Sequence, residues 1–283
     1  VPPKHPFGLS TRLFADQRLG REQLAEIASH GFETIDLFAI RTHTDYSNPA
    51  AIADLQQWLA EARLTLHAVH APVADSIAAG RLVSPLSLAS ADAAARTRAL
   101  EEVERALHIA RRIAFGVLIV HIGLPRSDSA DAAMNSRDAA RRSLEALHAA
   151  AEPLGVRIAI EVLPNELSRP GSLVHFVEDV VDASGVGICL DLGHAQMDGD
   201  AVDAVETVSE HLLAVEVHDN RGRSDDHLVP FEGTIDWPST LTTIQKVGYE
   251  GPLTFELKSR GPVRDTLERA VRARQRMERL LAS

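Results

Sequence analysis

The chain has 283 residues, 45% hydrophobic and 24% charged, a globular balance that excludes a disordered, collagen-like or coiled-coil chain. Its 29 basic and 40 acidic side chains give a formal charge of −11, a poor match for the phosphates of a nucleic acid. One cysteine, Cys189, excludes an intrachain disulfide framework and a cysteine-only zinc site, and suits a reducing compartment.

No apolar run approaches the roughly 18 residues of a membrane span. The opening residues, VPPKHPFGLS, hold no apolar leader segment, so the expected location is the cytoplasm. The chain begins at Val1 rather than Met, which leaves room for an upstream piece.

Short apolar runs fall at 7–10, 34–38, 64–70, 117–121, 157–162, 187–191, 212–218 and 252–256. Most are rich in Val, Ile and Leu without clean alternation, as strands buried on both faces are. Helical patterns lie between them. Residues 91–113 and 136–151 repeat apolar side chains at three- and four-residue spacing, and residues 263–281 form a charged amphipathic helix.

Eight strands give about 35 residues per unit, the size of a β-loop-α-loop repeat. Alternating strands and helices predict a parallel sheet with right-handed crossovers. The eightfold count predicts closure, so the fold class is α/β, a single (β/α)8 TIM barrel over residues 1–283. No G-x-G-x-x-G turn supports the doubly wound alternative. Two connections are long, 71–90 and 219–235. Both follow strands, so both are expected over the C-terminal face, where barrel active sites are built.

The last residues of the late runs carry the chemistry. They are His70, His121, Glu161, Asp191 (with His194 three residues on), His218 and Glu256. Carboxylates and imidazoles are rare in buried strands unless paired or metal-bound. One alone would be an ordinary satisfied polar residue; six on one rim predict a metal site. The core ligand set is Glu161, Asp191, His218 and Glu256, suited to Mn²⁺, Mg²⁺, Co²⁺ or Zn²⁺ with no organic cofactor. Pairing of the glutamates with rim arginines is disfavoured, because no arginine stands at the other strand ends.

His70, His121, His194 and His227 form a second ring. They bind substrate hydroxyls or, with Asp225, hold additional metals. Arg221 and Arg223, in the turn after His218, are candidates for contact with an anionic or polyhydroxy substrate. Phe231 and Trp237 anchor that loop or wall the pocket. Asn165 and Glu166 are candidate rim groups. His67 is left without a role, and His30, His108, His148 and His175 are expected on helix surfaces.

These motifs resemble the xylose-isomerase-like TIM barrels, which include sugar-phosphate isomerases and epimerases, inosose dehydratases and endonuclease IV. The motifs are Ala-Ile-Glu161, Leu-Asp191-Leu-Gly-His194-Ala, Val-His218-Asp-Asn, Phe-Glu-Gly-Thr-Ile-Asp-Trp237 and Thr-Phe-Glu256-Leu. The resemblance spans roughly 7–256. It implies one divalent metal on Glu161, Asp191, His218 and Glu256, and isomerase or epimerase chemistry on a small polyhydroxylated carbonyl compound. One of the catalytic pair Glu161 and Glu256 removes the proton alpha to the carbonyl, and the other returns one, through a metal-stabilised enediolate. His194 matches a substrate-oxygen contact. A dehydratase of the inosose type would expel a β-hydroxyl from the same enolate. Relatives are often homodimers or homotetramers.

The rival within the resemblance is a three-zinc phosphodiesterase like endonuclease IV. Its ligand pattern includes positions resembling His70, His121, His194, Asp225 and His227, all present. Against it stand the −11 charge, the 4% aromatic content, and Val-Leu-Pro-Asn after Glu161 where that enzyme has an Asn-Thr-Ala-Gly-type segment. A barrel serving only as a scaffold would have no reason to keep both Glu161 and Glu256 at the rim.

Overall fold

The computed structural model describes residues 5–78, 81–125, 132–179 and 184–282. All eight expected strands are present, and they close into a parallel barrel. In chain order they are β1 (Phe7–Ser10), β2 (Thr34–Phe38), β3 (Thr65–His70), β6 (Val117–Val120), β7 (Arg157–Glu161), β8 (Val186–Asp191), β9 (Leu212–Val217) and β10 (Leu253–Phe255). β10 pairs with β1 in register Gly8 with Thr254, which seals the ring. The chain is therefore a single (β/α)8 TIM barrel.

The two-sided burial inferred from the runs has two sources. On the outside, strand residues such as Leu118, Ile158 and Leu190 pack against the helices in the main hydrophobic core. On the inside, Ala68, Val117, Ile119, Ala159, Cys189 and Ala214 form a separate small cluster. Alternation along a strand sends neighbouring residues to opposite faces, so a strand in a closed barrel has no solvent face.

The helices follow their local signals. Asp92 caps α3 (Ala93–Leu107) by accepting from Ala95 N, and Ser136 caps α4 (Arg137–Ala151) through Ala139 N. The pattern over 91–113 ends earlier than its apolar spacing suggests, because the chain tightens into a 3-10 turn at His108–Arg111. The closing helix, α9, spans Val263–Leu281 and buries Leu267, Ala270, Ala273 and Met277 on one stripe. Among the described residues no helix is long and apolar enough to cross a membrane.

The stretch 71–90 is not an open loop. It contains an antiparallel hairpin, β4 (Ala74–Ala78) and β5 (Arg81–Pro85), whose residues 79–80 lie outside the described set. Ile77 pairs with Leu82 across it, and both line the cavity over the barrel mouth. The second long connection is pinned at its root, where Asp219 and Leu228 exchange backbone hydrogen bonds at 2.8 Å in both directions.

Candidate metal centre and active site

The strand-end residues do meet. A cavity of about 710 Å³ lies over the C-terminal mouth of the barrel, with Glu161, Glu256, His70, His121, His194 and His227 on its walls. Asp191 and His218 form the floor beneath and are fully buried. Asp225 reaches in from the long connection after β9 and is the most open of the set, its side chain 37% exposed.

Three histidines are oriented from behind. His70 Nδ1 donates to the carbonyl of Ala71 (3.1 Å), His194 Nδ1 to that of Val162 (3.0 Å), and His227 Nδ1 to that of Glu256 (2.9 Å). Each bond selects the tautomer that leaves Nε2 free, the usual arrangement of an imidazole ligand. For His70, Nε2 lies 2.9 Å from Glu161 Oε2, and His121 Nε2 lies 2.7 Å from the same oxygen. The Nε2 atoms of His194 and His227 face Asp225 Oδ2 at 3.5 and 2.9 Å. His218 Nε2 approaches Asp191 Oδ1 at 2.9 Å, and its buried Nδ1 has no partner among the described residues.

The donor atoms fall into cation-sized groups, each with its atoms within 4.8 Å of one another. One is His70, His121 and Glu161; a second is Asp191, His218 and Glu256; a third is His194, His218, Asp225 and His227. Asp191 also groups with Glu161 and His194, so it links the first group to the second. The four core ligands inferred from the strand ends are thus joined through Asp191 rather than gathered around one point. Carboxylate oxygens with imidazole nitrogens on rigid strands fit a divalent transition metal.

The electrostatics point the same way. Burial works against the Glu161 carboxylate, but His121, His194 and His70 outweigh it and hold its carboxyl well below the usual range. Burial likewise opposes ionisation of Asp191, and His194 and His218 overcome it. Burial opposes charge on His70 as well, yet Glu161 pulls its pKa up; Asp191 does the same for His218. His194 is raised well above its ordinary value by Asp191, Asp225 and Glu161. The buried acids thus favour the charged form of His70, His194 and His218, whereas burial and Arg12 lower the pKa of His227. A divalent ion would balance the same acids while leaving the imidazoles neutral, as ligands must be.

Several sequence expectations need correction. Arg221 and Arg223 are exposed and line no part of the cavity, because the turn around Gly222, which has φ +72°, carries them outward. Asn165 is buried and closes its own loop, its Oδ1 accepting from Leu167 N and Ser168 N at 2.9 Å. Glu166 faces solvent and pairs with Arg169. Of the two roles open to Phe231 and Trp237, the structure fits loop anchoring: their ring centroids are 5.7 Å apart, and Phe231 N and Trp237 Nε1 both donate to Asp219. His67 sits far from the rim, in a small cavity with Arg157 and Tyr249.

An arginine does stand at the rim, against the expectation from the strand ends. Arg12 lies two residues past β1, lines the cavity, and brings Nε within 3.6 Å of Glu256 Oε1. Burial opposes its charge, but Glu256, Asp225, Glu161 and Asp191 more than compensate and raise its pKa. Two acids inside the barrel were missed as well. Asp36 and Glu216 are buried one layer below the rim, and burial drives the Glu216 carboxyl well above the usual range, helped by Glu161 and Glu256. Alternation could have found Glu216, since it lies two residues before His218 on the same inner face.

Residues 24–281 match the family model described as xylose isomerase-like TIM barrel. The chain belongs to this family. As a xylose isomerase-like barrel it is 28% identical over 269 residues to an uncharacterised protein of Methanocaldococcus jannaschii, covering 93% of this chain and 86% of that one. Among solved structures it is similar to a D-tagatose 3-epimerase-like protein, at 26% identity and TM-score 0.80, covering 98% of this chain and 97% of that one. A D-psicose 3-epimerase superposes with TM-score 0.77 at 18% identity (98% and 100% covered). A 3-keto-D-glucoside 4-epimerase from E. coli does so with 0.75 at 16% (96% and 100%). These last two likenesses are likenesses of fold.

Within this barrel Gly193 has a steric role. A Cβ there would collide with the ring of His218. Gly193→Ala is expected to push His218 off the floor and, with His218 as a ligand, would weaken metal retention by roughly tenfold or more. Competition with a chromophoric chelator would measure it, and an unchanged affinity would show that His218 is not a ligand.

Proposed function

We propose that this chain is a divalent-metal-dependent isomerase or epimerase of a small polyhydroxylated carbonyl compound. The observation that carries the reading is the pair Glu161 and Glu256, on β7 and at the end of β10, facing one cavity above Asp191 and His218. The 26% identity to a D-tagatose 3-epimerase-like protein supports it. A divalent ion held by Asp191, His218 and Glu256, with Glu161 drawn in from beside Asp191, would supply positive charge beside the substrate carbonyl oxygen.

The chain's own groups do the rest. One glutamate takes the proton from the carbon next to the carbonyl, and the other delivers a proton to the opposite face or to the neighbouring carbon. His194 stands beside both Glu161 and Asp225 and, in its protonated form, would donate from Nε2 to a substrate oxygen. Loss of a β-hydroxyl from the same carbanion would make the activity that of an inosose-type dehydratase. The lone buried thiol, Cys189, suits a cytoplasmic enzyme.

The third donor group, His194, His218, Asp225 and His227, favours one alternative. Filled together with the other two, it would make the chain a three-zinc phosphodiesterase resembling endonuclease IV. The −11 charge weighs against a DNA substrate.

Metal stoichiometry separates the readings. The protein is loaded with Mn²⁺ or Zn²⁺, desalted, and assayed for bound metal. The retained form is then incubated in D2O with ketoses, keto-inositols and their phosphates. About one ion per chain, with deuterium entering the carbon next to the carbonyl, is the expected result. Three zinc ions per chain and no exchange would transfer the assignment to phosphodiester hydrolysis. Retention of no metal would overturn both.

A further inference from the structure

The floor of the cavity is acidic, but one wall is cationic. Arg12 follows β1, and Lys258 follows Glu256 beyond β10, the strand paired with β1. Arg12 Nε stands 3.6 Å from Glu256, beyond a good hydrogen bond. Among the described residues neither terminal nitrogen of Arg12 donates to protein. Its guanidinium lies 5.8 Å over the Phe38 ring, which holds the group in place without using its donors. Lys258 is exposed, and among the described residues its ammonium has no carboxylate partner. A side pocket of about 380 Å³ shares Arg12, Ile77 and Lys258 with the main cavity. Asp16, exposed, is its one acidic lining residue among those described.

We infer that the substrate carries an anionic group, a phosphate or a carboxylate, seated between Arg12 and Lys258 where the two pockets join. The inference rests on the carbohydrate reading above and names the substrate class. Arg12 offers a planar fork of donors that matches either oxyanion, and Lys258 adds a mobile point charge. The anion contact that Arg221 and Arg223 suggested from sequence is thereby assigned to the ends of β1 and β10.

The test is calorimetric binding to the Mn²⁺-loaded chain, with D-fructose, D-fructose 6-phosphate and D-glucuronate as probes. Fructose 6-phosphate is expected to bind at least about tenfold tighter than fructose, with the advantage shrinking as salt rises. Lys258→Gln and Arg12→Gln should each remove about tenfold of that advantage. The same sensitivities shown by glucuronate instead would support the site with a carboxylate as its source. Equal affinities for neutral and anionic probes would overturn the inference. So would an advantage that survives both substitutions, since that would mark oxyanion binding to the metal itself. If the preference and its loss in the variants are observed while no probe exchanges deuterium, the anion site stands and the isomerase reading fails.

Discussion

Glu161→Gln is expected to lower turnover by at least about a thousandfold while the barrel stays folded. A positioned acid or base contributes about 10²–10⁴ to rate, and Glu161 is in addition a metal ligand in the proposed scheme. Its oxygens are within 3.1 Å of His70, His121 and His194, so the substitution removes the charge on which three imidazoles converge. Leaving buried cations unpaired would be costly, but these groups can shed their protons and become neutral. The fold therefore tolerates what the reaction does not. Steady-state rates at saturating metal, alongside circular dichroism, test both halves. Full activity in a folded, metal-loaded Glu161→Gln protein would remove Glu161 from the chemistry. A parallel Glu256→Gln protein that still exchanges the substrate proton with D2O, without isomerising it, would identify Glu161 as the base and Glu256 as the donor.

Asp219→Ala is expected to cost more than about 4 kcal/mol of stability, in the range seen when a buried hydrogen-bond network is broken. Asp219 is fully buried directly after His218. Its carboxylate accepts from Asn220 N (2.9 Å), Phe231 N (2.9 Å), Ile235 N (3.3 Å) and the indole Nε1 of Trp237 (2.9 Å). Bonds to a charged acceptor contribute about 1.5–3 kcal/mol each, and removing the acceptor leaves several donors dry at once. The contributions do not add, so the sum of four is not the expected loss. Gly233 packs so closely on this carboxylate that no other residue would leave room for it.

The loop held by Asp219 carries Asp225 and His227 into the cavity. Loss of the hub should thus lower the urea midpoint and release Asp225 and His227 from the cavity wall. A midpoint equivalent to a loss under about 1 kcal/mol would show that the loop is held by its other contacts. Asp219→Asn is a useful companion. It keeps the volume, but its amide turns donors toward donors, so it should recover little of the loss.

The fold was legible because a closed parallel barrel writes itself along the chain. Runs such as 117–121 and 187–191 lack alternation since neither face of those strands meets water. The rim was legible for a related reason. Glu161, Asp191, His218 and Glu256 sit at the ends of apolar runs, where an ionisable side chain is costly unless the mouth of the barrel makes use of it. Strand order then requires these ends to converge, whatever the loops do.

Other features had no such local mark. Nothing in Thr-Arg-Leu-Phe singles out Arg12, which reaches Glu256 only because β1 and β10, some 240 residues apart in the chain, close the ring. Arg221 and Arg223 lie within five residues of His218 and still face solvent, because the turn at Gly222 carries them outward, whereas Asp225 and His227 of the same loop line the cavity. Asp219 reads as an ordinary turn residue until Trp237 and Phe231 fold back onto it. The hairpin at β4 and β5 brings Ile77 and Leu82 to the cavity, a placement that the order of residues along the chain does not show. From sequence alone come the barrel, the identity of its rim acids and imidazoles, and hence the class of chemistry proposed for it. Tertiary structure alone decides which cations face those acids and how the donors divide among ion-sized groups. The first set follows from burial along one strand at a time; the second depends on distances between segments that meet only when the ring closes.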